Sequence, residues 1–416
     1  MMNPSATTPA SAVTPTSTNT QLAFPHRPGF LWGTATAAHQ VEGNNYASDW
    51  WQLEHSGSTV VAEPSGDAAD HFHRWPEDLD LLAGLGLNAY RFSVEWARIE
   101  PERGYISRAM IDHYRRMVAG CLERGITPIV TLQHVTMPAW FRRAGGWAAD
   151  SATELFAVYA ETVLPVIREG VQWVCTINEP NLQPLMTKLH ANDPEALAAW
   201  NGGPMPVPSE QEVADLIAAH RSATEVVHSV PGVKAGWTVS IADLQFDADG
   251  ESAAREWFER YEGRFLRAAR GDDFVGVQNY FRTTFDRNGL VPVGPDARMT
   301  DLWEFYPQAL GHAVKSAWEE TEGTPILVTE NGIPTGDDEL RIEFLDTALA
   351  SLGEVMRDGV EVLGYLHWSA LDNFEWAMGY EPRFGLIEFD PVTFERRVKP
   401  SARHYSDLVR SRLRTN

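Results

Sequence analysis

Eight short apolar runs alternate along this chain with stretches of helical periodicity, and no other feature narrows its possible folds so far. The runs lie near residues 29–38, 87–94, 126–133, 171–177, 233–240, 273–279, 325–329 and 361–368. Apolar residues follow one another within them, without the polar alternation of a half-solvated sheet. That is the pattern of parallel strands covered on both faces by helices. Between them, stretches such as 76–86, 108–125, 152–170 and 340–359 repeat apolar residues at helical spacing. These four stretches end at Gly86, Gly125, Gly170 and Gly359, each just before a strand. Glycine accepts the left-handed conformation that terminates a helix. Eight βα units undivided by any linker predict a (β/α)8 TIM barrel, an α/β fold, with extended βα loops, as one domain over residues 23–416. A doubly wound open sheet would call for a phosphate-binding glycine fingerprint after its first strand, and "GTATAAHQVEG" is not one. Residues 1–22 are rich in Ser, Thr, Pro and Ala and carry no charge. They lack the basic start and continuous apolar stretch of a signal peptide and read as a disordered tail.

Composition excludes several partners. The 416 residues carry a formal net charge of −23, which nucleic acid and anionic membranes would repel. No stretch reaches the roughly 18 consecutive apolar residues of a membrane span. Two cysteines, Cys121 and Cys175, make no disulfide framework, and Cys175 sits inside an apolar run. A reduced, cytoplasmic protein is the simplest reading. The 15 tryptophans exceed what a core needs and suggest stacking surfaces for flat ligands such as sugar rings, although most of them belong in the core. No metal cluster with credible ligand spacing is present, and His71 and His73 read as structural.

In a barrel of this kind, functional groups sit at the C-terminal ends of the strands. The polar residues placed there are Gln40, His134, Asn178, Glu179, Tyr280 and Glu330, with Arg91 inside the second run and Trp368 closing the eighth. Glu179 in Asn178-Glu179-Pro180 and Glu330 in Thr329-Glu330-Asn331-Gly332 each follow a short apolar, β-branched run. A buried ionisable group is costly unless it is paired or used. Two of them facing one cleft is the arrangement glycosidic bond cleavage requires. The plainer role for either glutamate, an N-cap of the next helix, leaves the convergence of the other residues unexplained.

From these residues onward the chain resembles the family 1 glycoside hydrolases, retaining β-glucosidases built on a (β/α)8 barrel. The matching segments are "FLWGTATAAHQVEG", "NAYRFSVEWARIEP", "TINEP", "VTENG" and "WSALDNFEWAMGYEPRFGL", and the resemblance covers about residues 24–410. It implies that Glu179 is the general acid/base and Glu330 the nucleophile, about 5–5.5 Å apart as a covalent glycosyl-enzyme demands. It further implies that Arg91 and Tyr280 hold Glu330 in its ionised form. Asn178 would bind the sugar 2-hydroxyl, Gln40, His134, Glu375 and Trp376 would grip the outer hydroxyls, and Trp368 would be the stacking platform. Glu375 stands where relatives acting on 6-phosphorylated sugars tend to carry serine, which favours neutral sugars: glucose first, then galactose and fucose. The substrate implied is a small β-glycoside, with no cofactor and no metal.

Three departures from the family pattern stand out. Val135 replaces the usual aromatic after the histidine, which would loosen the wall of the first subsite. Gln278 replaces the usual asparagine of the sixth strand. The segment after Glu179, where the leaving-group site is normally built, has little that matches. Two other functions would use the same residues, a transglycosidase and a catalytically silent sugar-binding barrel. Oligomeric state and the natural aglycone are left open.

Overall fold

The computed structural model describes residues 24–413 apart from residues 59, 192, 194–195 and 197–205. The expected tail over 1–22 lies outside the described residues, as does part of the unmatched segment after Glu179. The eight expected strands are β1 Leu31–Ala35, β2 Ala89–Ser93, β3 Thr127–Gln133, β4 Trp173–Asn178, β5 Lys234–Ser240, β6 Val275–Gln278, β7 Ile326–Asn331 and β8 Val362–Trp368. They close into a parallel barrel in chain order, with β1 paired to both β2 and β8. The fold is therefore the (β/α)8 barrel that the alternation predicts. The four glycines expected to stop helices all have positive φ: Gly86 at 78°, Gly125 at 70°, Gly170 at 122° and Gly359 at 100°.

Inside the barrel, at its N-terminal end, Leu31, Ala89, Ile129, Trp173, Cys175, Phe274, Leu327 and Leu366 form one buried cluster. Burying a large aliphatic side chain of this kind contributes about 1.5–3 kcal/mol, so this plug supports the polar layer above it. A larger apolar layer lies between strands and helices and includes Val130, Val174, Val239, Val277 and Val328. Buried residues occupy both faces of the strands, as the unbroken apolar runs require.

Two strand ends differ from the sequence expectation. The first strand stops at Ala35, and Ala38–Glu42 is a short helix. The chain leaves the sheet because Thr36 N–H donates to Arg91 O at 2.9 Å and Ala38 N–H to Ser93 Oγ at 2.8 Å. Gln40 therefore reaches the barrel mouth from a helix rather than from a strand tip. The seventh strand runs past residue 329 to Asn331, so Glu330 lies within it.

The pairing is irregular where it matters. Register shifts fall between Cys175 and Asn178 on β4 against β5, and between Val328 and Glu330 on β7 against β6. Such shifts re-aim the side chains that follow them. Gly332, just beyond β7, is required by close approach, because a Cβ there would lie 2.0 Å from Trp368 O. The hairpin of Ile387–Phe389 and Arg396–Val398 is clamped to the first long helix, His71–Gly84. Arg396 donates to Asp78 through Nε at 2.7 Å and Nη2 at 2.9 Å, and Asp78 Oδ2 lies 2.7 Å from His71 Nδ1. His71 is structural, as expected.

Candidate active site

Glu330 is 3% exposed at the mouth of the barrel. Arg91 Nη1 donates to its Oε1 at 2.5 Å, and Tyr280 OH donates to its Oε2 at 2.5 Å. Arg91 is fully buried, so its charge is compensated by neighbours rather than by water. Its Nε donates to Thr131 Oγ1 at 2.9 Å and its Nη2 to Asn178 Oδ1 at 2.5 Å. Burial raises the Glu330 pKa, while Arg91, Tyr280 and Gln278 act against that rise. Of the two glutamates this one has the cationic partner in direct contact.

Glu179 follows β4 directly, in the left-handed conformation with φ 45°. Non-glycine residues held there concentrate at functional sites. Its N–H donates to Thr238 O at 2.8 Å, which ties the turn to β5. Burial, and then the Glu330 charge, push its carboxyl up to about 8, against a smaller opposing effect from Ser240. At neutral pH Glu179 therefore holds its proton, while at Glu330 the contacts with Arg91 and Tyr280 oppose the rise that burial imposes.

Both glutamates line one cavity of about 270 Å³ together with Gln40, His134, Tyr280, Trp368, Glu375 and Trp376. Arg91 and Asn178 lie beneath them. The His134 ring stacks on Trp368 at 5.7 Å and on Trp376 at 6.4 Å between centroids. Burial pulls the His134 pKa well down, so the imidazole is neutral. Gln40 Nε2 donates to Glu375 Oε2 at 3.1 Å and Asn373 Nδ2 donates to the same oxygen at 2.9 Å. Burial pushes Glu375 up to about 8 as well.

The loosened wall expected beside Val135 is not found. Val135 is 3% exposed and sits in an apolar cluster with Trp50, Leu185, Met186 and Trp376. Leu185, Met186 and Leu189 of the helix Gln183–His190 contribute to this cluster. Sequence reading treated Gln278 only as a departure and passed over Thr131, Thr238 and Asn373. Gln278 Nε2 donates to Asn178 Oδ1 at 2.8 Å and Thr238 Oγ1 to the same atom at 3.1 Å. With Arg91, three donors from three different strands fix one amide. For Thr131, Thr238 and Gln278 the signal that could have found them is a place near a strand end, and for Asn373 it is the nearby Glu375.

A parallel barrel whose strand ends set a buried and a half-buried carboxyl against one aromatic-walled cavity belongs to the class of enzymes that cleave glycosidic bonds. The model of glycosyl hydrolase family 1 matches residues 21–223 and 271–413, and the chain belongs to that family. β-Glucosidase A of Thermotoga maritima is 30% identical over 445 residues, covering 92% of this chain and 97% of that protein. A bifunctional β-D-glucosidase/β-D-fucosidase of Bifidobacterium breve is 30% identical over 457 residues, covering 92% and 97%. Among solved structures, β-glycosidase BGL167 superposes with a TM-score of 0.85 at 43% identity, over 94% of this chain and 97% of that one. The chain is thus a glycoside hydrolase acting on β-glycosides.

Proposed function

We propose that this β-glycosidase removes terminal β-D-glucosyl residues with retention of configuration, accepting β-galactosyl and β-fucosyl groups to a lesser degree. The observation that carries the reading is the opposed settings of the two carboxyls, with Glu330 held by Arg91 and Tyr280 and Glu179 raised to about 8. Ionised Glu330 attacks the anomeric carbon while Glu179 gives its proton to the departing oxygen, leaving a glycosyl ester on Glu330. Glu179, now ionised, takes a proton from water, whose oxygen displaces Glu330 and restores both groups. Asn178, fixed by its three donors, meets the 2-hydroxyl. Gln40, His134, Glu375 and Trp376 grip the outer hydroxyls, and the sugar rests on Trp368. An acceptor alcohol in place of water would give transfer instead of hydrolysis.

Neutral sugars are favoured because the cavity lining includes no lysine or arginine among the described residues. A sugar phosphate would lose hydration there without gaining a counter-charge. The names of the Thermotoga and Bifidobacterium relatives support glucose and fucose as glycones. Two buried free thiols, Cys121 and Cys175, fit a reduced, cytoplasmic setting.

The test is a panel of p-nitrophenyl β- and α-glycosides with 6-phospho forms, followed by intact-mass measurement after reaction with a 2-deoxy-2-fluoro-β-glucosyl donor. The expected outcome is release from neutral β-glycosides only, together with one added glycosyl group on Glu330. Glu330→Gln should lose nearly all turnover and take no label. Near-normal rates in that variant would end the assignment.

A further inference from the structure

The cavity has a wall that neither the motifs nor the proposed chemistry uses. After β5, the helix Glu251–Phe258 widens into one turn of π-helix, Glu259–Gly263, before resuming as Arg264–Ala268. Widened turns of this kind occur frequently at functional sites. Trp257, Tyr261 and Glu262 join the cavity lining from this segment. Glu262 is 3% exposed. Its Oε1 accepts a hydrogen bond from Ala242 N–H at 3.1 Å, while its buried Oε2 has no hydrogen-bond partner among the described residues. Trp257 and the Ala242 N–H favour the charged form, but burial outweighs both and pushes the carboxyl up to about 8. A buried polar atom left without a partner destabilises the folded state, so a buried Oε2 on a residue that lines the cavity calls for an explanation.

Its position supplies one. The groups proposed to grip the sugar come from the β1, β3 and β8 side of the mouth. The departing oxygen lies at Glu179, which meets Ser240 at the tip of β5. Ala242, which anchors Glu262, comes two residues later, so Glu262 lies beyond the acid/base on the leaving-group side. The cavity lining near Glu262 is otherwise mostly apolar, with Leu182, Phe281 and Trp303. This wall also lies outside the matched ranges of the family, which break between residues 223 and 271.

We propose that Glu262 is the polar anchor of the leaving-group subsite, binding an oxygen on an otherwise apolar, phenol-sized aglycone. The inference deepens the β-glucosidase reading and rests on it. As a neutral acid, Glu262 donates from its unmatched oxygen to a hydroxyl or ether oxygen of the leaving group. A second sugar, with several hydroxyls to satisfy, would meet mostly apolar surface instead.

The test compares kcat/KM for p-hydroxyphenyl and p-methylphenyl β-glucosides, which have the same shape and leaving groups of nearly equal acidity. The native protein should prefer the hydroxyl compound by about tenfold, the worth of one hydrogen bond. In Glu262→Leu the ratio should fall to about one, and Glu262→Gln should keep part of the preference. A general structural defect would lower both rates together and leave the ratio untouched. A ratio near one in the native protein, or a ratio unchanged in Glu262→Leu, would overturn the inference while leaving the glycosidase reading standing. No turnover of either glucoside by the native protein would overturn both.

Discussion

Glu330 and Glu179 have the same side chain and share one cavity, yet different neighbours act on their charges. Arg91 and Tyr280 touch Glu330, while Glu179 has burial and the Glu330 charge acting on it. In the proposed mechanism the protonated form of Glu179 is the active one, so kcat/KM should fall as pH rises through about 8, by about tenfold per unit above it. Removing the Glu330 charge removes the second cause of the shift, so Glu330→Gln should titrate Glu179 at a lower pH than the native protein does. Carbon-13 NMR of labelled glutamate would measure this, and an unchanged midpoint would mean that burial alone sets the value. The identities of both glutamates, Arg91 and Tyr280 were legible in the sequence because each stands in or beside a short motif at a strand end. The contacts of Thr131, Thr238 and Gln278 were not. Each depends on which strand lies next to which, and a hydroxyl or amide at a strand end has no distinctive pattern of its own.

At the scale of elements, the register shifts on β4 and β7 come just ahead of the two glutamates. A run such as "TPILV" shows that a strand exists but not where its pairing slips, because slippage is set by the partner strand. The same limit explains Gln40. Its approach from a helix follows from Ser93 and Arg91 O capturing the chain after Ala35, contacts that span more than fifty residues. The C-terminal clamp shows what such contacts contribute to stability. Asp78 and Arg396 are both nearly fully buried, and Arg396 and His71 hold Asp78 below the usual carboxylate range against the effect of burial. Breaking a buried pair by removing one partner typically costs about 3–5 kcal/mol. Asp78→Asn should destabilise the fold by that order, measured by urea denaturation, with little change in KM for glycosides at temperatures where the variant stays folded. A near-zero loss would show that water replaces the clamp.

For the molecule as a whole, buried acids near 8 have an opposite effect on stability to that of Asp78. Burial pushes Glu262 to about 8, whereas in the unfolded chain it titrates near the ordinary value of about 4.3. Between those limits the folded state keeps a proton that the unfolded state has released. Its stabilising contribution is complete below the unfolded value and is lost progressively as pH rises to about 8. Glutamine carries no such linkage, so Glu262→Gln should gain stability relative to the native protein between pH 5 and pH 8. Melting temperatures at the two ends would show it, and a constant difference would refute it. The sequence by itself determined the eight-unit barrel, the glycine helix stops, the two carboxyl groups and the family, because periodicity, conformational freedom and short motifs are local properties of a chain. Only the tertiary structure decided how strongly burial raises Glu179, which donors fix Asn178, what packs against Val135, and that Glu262 lines the cavity. Charge, dielectric and packing act through space, and they bring together residues that are distant in sequence.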